Sequence, residues 1–257
     1  MDDSILQNMI IFIIIGFFAQ IIDGALGMAY GVSATTFLLT FGVPPALASA
    51  SVHAAECFTT FLSGVSHLKF GNVKRELVYR LLIPGVLGAA IGAYILAELP
   101  GDIIKPYISA YLLLMGLFIL YKAVRKVVPR EITTHLIPLG LAGGFMDAVG
   151  GGGWGPIVVS TLVARGNNPR LTIGSANLVE FFVALTASIT FFIKLLSELD
   201  QLWRPIAGLA IGGAIAAPMA AYVCRKIQPR TLMFMVGVLI TLLSLRTIAK
   251  SYGVPIP

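Results

Sequence analysis

Between residues 5 and 249 the chain is a succession of ten apolar runs, at 5–22, 28–41, 46–66, 77–97, 103–124, 135–148, 155–164, 171–196, 204–223 and 231–249. No water-facing fold of 257 residues can hide so many, whereas helices in a bilayer need only satisfy their own backbone. Charged residues make up 12% of the chain, about half of the roughly 25% usual in a soluble domain. A soluble, a disordered and a disulfide-scaffold protein are excluded. A membrane barrel does not fit, because its strands alternate apolar and polar residues. The expected fold class is an all-α polytopic membrane protein. Its net charge of +6 comes from short basic clusters between the runs, which signals membrane topology rather than nucleic-acid binding. The acidic start, MDDSILQNM, lacks the positive region of a cleavable signal peptide.

A full span needs about 20 residues. The runs 28–41, 135–148 and 155–164 are too short, and glycine-rich breaks adjoin them. They occupy matching places. A shift of 124 residues pairs Gly16 with Gly140, Asp23 with Asp147, Gly27 with Gly151, and Gly31 with Gly155. It also pairs Gly42 with Gly166, Pro45 with Pro169, Ser51 with Ser175, Glu56 with Glu180, and Gly88 with Gly212. Agreement among the rarer aspartates, glutamates and prolines marks a duplication.

Charge orients the two copies. Lys69, Lys74, Arg75 and Arg80 follow the third run, and Lys122, Arg125, Lys126 and Arg130 lie between the halves. Arg165, Arg170, Arg225, Lys226 and Arg230 mark two further loops. The positive-inside rule places all four clusters in the cytoplasm. The loops with Glu98, Asp102, Glu198 and Asp200 then lie outside. Equivalent loops thus face opposite sides, so the halves are expected to be inverted repeats. Each is a short, broken or re-entrant helix hairpin plus three transmembrane helices. The first repeat is 1–126, a cytoplasmic linker is 127–134, and the second repeat is 135–257. Both termini fall outside, which suits Asp2 and Asp3 but not Arg246 and Lys250. Gly85, Gly88 and Gly92, with Gly208 and Gly212, supply small-residue faces for close helix packing.

Four acids lie deep in apolar sequence: Asp23, Glu56, Asp147 and Glu180. Each costs about 2.5–3.5 kcal/mol at the bilayer centre on insertion scales. The two aspartates precede breaks, DGALGMAYG and DAVGGGGWG, where they either cap the following helix or carry a proton. The glutamates lie within long spans where no cap is required. Helix starts after the breaks expose unpaired amides at the positive end of a dipole, a site for an anion. Inversion aims two such starts at one place. The candidate substrate residues are therefore Gly27, Met28, Tyr30, Gly31, Gly151, Gly152, Gly153, Trp154 and Gly155, with Ser51, Ser175 and Asn177 completing the coordination. The candidate coupling residues are Asp23, His53, Glu56, Asp147 and Glu180. Ser49, His53, Glu56, Thr60, Ser63 and His67 recur at helical spacing. His53 either packs or shares a proton with Glu56, and His67 reads as a surface residue. Cys57 reads as a packed thiol, and Cys57 and Cys224, each within an apolar run, signal neither a disulfide framework nor a zinc knuckle.

The breaks GFFAQIIDGALGMAYG and GLAGGFMDAVGGGGWG, the segment PPALASAS and its echo NPRLTIGSANLVEF resemble the TauE/SafE family of sulfite and organosulfonate exporters. The likeness covers essentially the whole chain. It implies a multi-pass carrier in the plasma (cell inner) membrane for sulfite, sulfonates or related anions. The expected function is a secondary transporter working by alternating access on a small anionic substrate. Its coupling ion would be a proton more readily than Na⁺. No cofactor, resident metal or nucleic-acid partner is expected. Two other readings stay open: a cation or metal transporter using the intramembrane acids, and an intramembrane aspartyl enzyme using Asp23 and Asp147.

Overall fold

A computed structural model describes residues 9–26, 28–124, 135–165, 167–226 and 229–254. The expected linker at 127–134 and Gly27 lie outside the described residues. Those residues form helices and connecting turns with no strand among them. In chain order they are α1 (Met9–Leu26), α2 (Tyr30–Thr40), α3 (Pro45–Lys69), α4 (Arg75–Glu98), α5 (Gly101–Val124) and α6 (Leu136–Gly150). A π-helical turn (Gly155–Val159) then runs into α7 (Ser160–Ala164), followed by α8 (Pro169–Lys194), α9 (Leu199–Lys226) and α10 (Pro229–Ser251). Pro45 and Pro169, 124 residues apart, each open a helix at the position where a missing amide hydrogen costs nothing.

The polarity of the bundle is inside out. Phe18, Ile83, Leu114 and Ile193 are each more than half exposed, while Ser51, His53, Glu56 and Asp147 are buried. Water would reverse that distribution; lipid demands it. Among the described residues, four helices meet length and apolarity together for a membrane crossing: Arg75–Glu98, Gly101–Val124, Leu171–Lys194 and Met233–Ser251. The protein is a multi-pass α-helical membrane protein. One sequence boundary moves: α9 begins at Leu199, before the apolar run at 204. Asp200, Gln201, Trp203 and Arg204 make its first turns too polar to register as apolar, yet fully able to hold helical hydrogen bonds.

The first helix of each half packs on the fourth helix of the other, α1 on α9 and α6 on α4, while α3 packs on α8 and α5 on α10. Glycine makes the first two contacts possible. A Cβ at Gly16 would strike the backbone of Leu209, and one at Gly212 the carbonyl of Ile13. Across the other interface, Gly144 meets Gly85, and Gly88 meets Leu141. Subtracting 124 from Gly144 gives 20, four residues beyond Gly16, although Gly85 is the counterpart of Leu209. The second contact shifts by the same four residues. The two interfaces are built alike but stand one helical turn apart in register.

The ends of the bundle are defined by cross-links. Ser175 Oγ accepts a hydrogen bond from Lys74 N (2.8 Å), where α4 begins. At the far end of α4 and α8, Glu98 pairs with Lys194. The loop between α3 and α4 and the loop between α8 and α9 therefore sit at opposite ends.

Candidate functional site

The breaks between α1 and α2 and between α6 and the π turn meet in the interior. A Cβ on Gly31 would lie against Gly152 Cα, the Gly151 oxygen and Glu56 Oε1, so only glycine lets the two backbones touch. Gly151 (φ 64°) and Gly152 (φ 148°) take conformations that suit glycine. In the first break the left-handed residue is Ala29 (φ 89°), one residue past the counterpart of Gly152. Thr35 Oγ1 donates to Gly151 O (2.6 Å), and Tyr111 OH to Gly152 O (3.2 Å), fixing the second break from α2 and α5.

Each aspartate caps its own break. Asp147 Oδ1 accepts Gly153 N (2.6 Å) and Trp154 N (2.8 Å). Asp23 Oδ1 accepts Tyr30 N (3.2 Å), the counterpart of Trp154 N. Of the two roles open to these residues, capping is realised. It follows that the amides of Tyr30, Gly153 and Trp154 are already engaged by carboxylate. The next first-turn amides, on Gly31, Val32 and Gly155, have no carbonyl one turn earlier in a helix to accept them.

A cavity of about 220 Å³ lies at the junction. All four intramembrane acids, Asp23, Glu56, Asp147 and Glu180, line it, together with Met28, Tyr30, Gly31, Gly152, Gly153, Gly155 and Asn177. It extends past Thr60 and Ser63 toward His67 and Ile173, the end where α3 finishes and α8 starts. His67, read from sequence as a surface residue, stands in its lining. Glu56 is buried and its Oε2 has no hydrogen-bond partner.

Other candidates stand elsewhere. Ser51 Oγ donates to Leu47 O of its own helix, and Ser175 serves Lys74; neither lines the cavity. Trp154 is fully buried, with Nε1 donating to Ala176 O (3.1 Å) and its ring against Gly85. It packs. Gly151 and His53 sit just behind the lining: His53 Nε2 lies 3.2 Å from Asp147 Oδ2. Donor atoms of His53, Glu56 and Asp147 lie within 4.8 Å of one another. A cation there would have to part His53 from Asp147. Sequence reasoning missed Gln20, which lines the cavity with a buried, unpartnered Oε1. Its position three residues before Asp23, on the same helix face, was the available signal.

Paired broken helices meeting at a buried polar cavity, inside a bundle with an apolar exterior, define the architecture of a membrane transporter rather than an enzyme. The chain belongs to the sulfite exporter TauE/SafE family, whose model matches residues 12–247. It is 46% identical over 255 residues to the probable membrane transporter protein YtnM of Bacillus subtilis (strain 168), covering 96% of this chain and 85% of that one. It is 25% identical over 224 residues to the probable membrane transporter protein YdhB of the same strain, covering 83% and 87%. No solved structure matches the chain.

Proposed function

We propose that the protein carries small sulfur oxyanions, sulfite or sulfonates, across the plasma membrane by alternating access coupled to protons. The observation that carries this reading is the contact of Gly31 with Gly152 beside a polar cavity that all four intramembrane acids line. Two helix starts then present their remaining amides, on Gly31, Val32 and Gly155, to one bound anion. At about 220 Å³ the cavity is smaller than the roughly 300–1,000 Å³ of sites for drug-sized ligands, which suits an anion of a few atoms. Asn177 supplies a neutral amide at its edge. Glu56 and Glu180 carry the coupling protons, because an anion beside ionised glutamates would be repelled.

Alternating access draws support from two asymmetries. The equivalent α1–α9 and α4–α6 interfaces differ by one turn of register. The cavity also runs toward one end only. With the basic loops in the cytoplasm, that end is the inner one, and the conformation faces inward. Sliding along these interfaces would produce the opposite state.

The test is uptake of labelled sulfite into proteoliposomes with and without an imposed pH gradient. Saturable flux accelerated by the gradient is expected. Flux indifferent to the gradient removes the proton, and no flux of sulfite or any sulfonate removes the substrate class. Stabilisation of the purified protein by metal ions but not by sulfur oxyanions would favour cation transport instead.

A further inference from the structure

We infer that the His53–Asp147 contact holds one exchangeable proton, and that this proton latches the cavity shut on the side away from His67. The inference rests on the alternating-access reading but not on the identity of the anion. His53 Nδ1 lies 2.8 Å from Ser49 O, and a carbonyl oxygen only accepts, so Nδ1 carries a hydrogen. In a neutral ring Nε2 is then a bare lone pair. That lone pair points at Asp147 Oδ2 across 3.2 Å. Asp147 already takes two backbone amides on Oδ1. His53 and Asp147 are 0% and 1% exposed, so bulk water does not screen the contact. Two lone pairs cannot face each other there; a proton lies between them. Whether it rides on nitrogen or on oxygen, the pair has no net charge.

The same contact joins two moving parts. His53 belongs to the first half of α3, and Asp147 to the last turn of α6. Ser49 Oγ, one turn earlier on α3, donates to Ala148 O (2.6 Å), so the two helices are clasped twice in succession. Loss of the proton to water in the cavity leaves imidazole against carboxylate and pushes α3 off α6. The titratable groups around the pair are Glu56 on α3, Glu180 on α8, Asp23 on α1 and Tyr111 on α5. Phe191 of α8 covers the ring.

The second half lacks the device. At the position equivalent to His53 stands Asn177, which lines the cavity and donates to Ser63 Oγ (2.9 Å). A carboxamide donates at any pH. The His53–Asp147 contact therefore has no proton-sharing counterpart at Asn177.

Trp154 reports on this pair directly, since its own amide binds Asp147. The chain has 2 tryptophans, so W203F leaves Trp154 alone. Its emission, followed in detergent without any anion from about pH 4 to about pH 10, should show a one-proton transition. His53→Gln, which donates without titrating, should abolish the transition while keeping the size-exclusion profile; Glu56→Gln should keep it. For a readout without variants, wild-type protein labelled with ¹⁵N-histidine should show one ring whose Nδ1 stays protonated while its Nε2 signal shifts with the same transition, as its hydrogen-bond partner gains or loses the shared proton. A flat W203F profile, a transition that survives His53→Gln, one lost in Glu56→Gln, or one removed by a chelator overturns the proposal. So does a histidine spectrum with no such ring. Because no substrate is present, failure here is separate from failure to transport sulfite.

Discussion

Asp23 and Asp147 occupy equivalent places, yet the structure makes their removal unequal. Asp147→Ala strips acceptors from Gly153 N, Trp154 N and the His53 ring at a site with 1% exposure. Asp23→Ala strips one acceptor, from Tyr30 N at 3.2 Å, beside a cavity where water can replace it. An orphaned buried donor costs about 1–3 kcal/mol. The first variant should therefore lose roughly 3–6 kcal/mol and the second about 1–2 kcal/mol, a gap of about 2–4 kcal/mol. At about 2–4 °C per kcal/mol for a chain near this length, the gap is roughly 5–15 °C in Tm. Circular dichroism of both variants in one detergent measures it. Asp147→Asn provides the control, because its oxygen still accepts both amides and its NH₂ donates to the neutral His53 ring. It should recover most of the loss. Equal melting of the two alanine variants, or Asp147→Asn melting as low as Asp147→Ala, would refute the capping argument.

Gly152→Ala should abolish transport and lower Tm, since φ 148° strains a side chain and its Cβ would strike Gly31 and Val32 N. Gly71→Ala, with φ +66° but open space around it, should cost only the roughly 1–2 kcal/mol of left-handed backbone and leave flux intact. Ser51→Ala should leave the apparent affinity for sulfite unchanged in a flux assay, whereas Asn177→Ala, in the cavity lining, should raise KM at least severalfold. Ser175→Ala should lower stability by about 1 kcal/mol through the orphaned Lys74 N, read as a Tm shift with KM unaltered.

Much of this was legible because a bilayer imposes simple rules. Apolar runs had to be helices, and breaks of matching composition had to be related. The polar stripe on α3 was also visible, but the stripe divides. Ser49 and His53 turn to the second break, whereas Glu56, Thr60, Ser63 and His67 follow the cavity. Helical geometry already held the reason that Ser51 and Ser175 miss the site. Each precedes its glutamate by five residues, about 140° around a helix at 100° per residue. Asn177, three residues before Glu180, is about 60° away. What the sequence could not disclose was the one-turn offset between equivalent interfaces. Gly16 meets the facing helix at one interface and Gly144, whose counterpart is Gln20, at the other, so matching positions alone did not fix the register.

The capping aspartates also change the electrostatics expected of an anion site. Each helix start carries roughly half a positive charge, and at both breaks a protein carboxylate has taken the nearest amides. The breaks alone therefore offer an anion less attraction than their sequence suggested. On the proposed function, the deficit falls on Glu56 and Glu180. Two unit charges about 5 Å apart repel by about 3 kcal/mol at an effective dielectric of 20, a factor of roughly a hundred in affinity. Each glutamate that takes up a proton removes a penalty of that order. A carrier built this way binds its anion tightly only when loaded with protons. By reciprocity its anion raises the proton affinity of the same acids. Coupling of binding to protonation is then a consequence of placing acids beside an oxyanion.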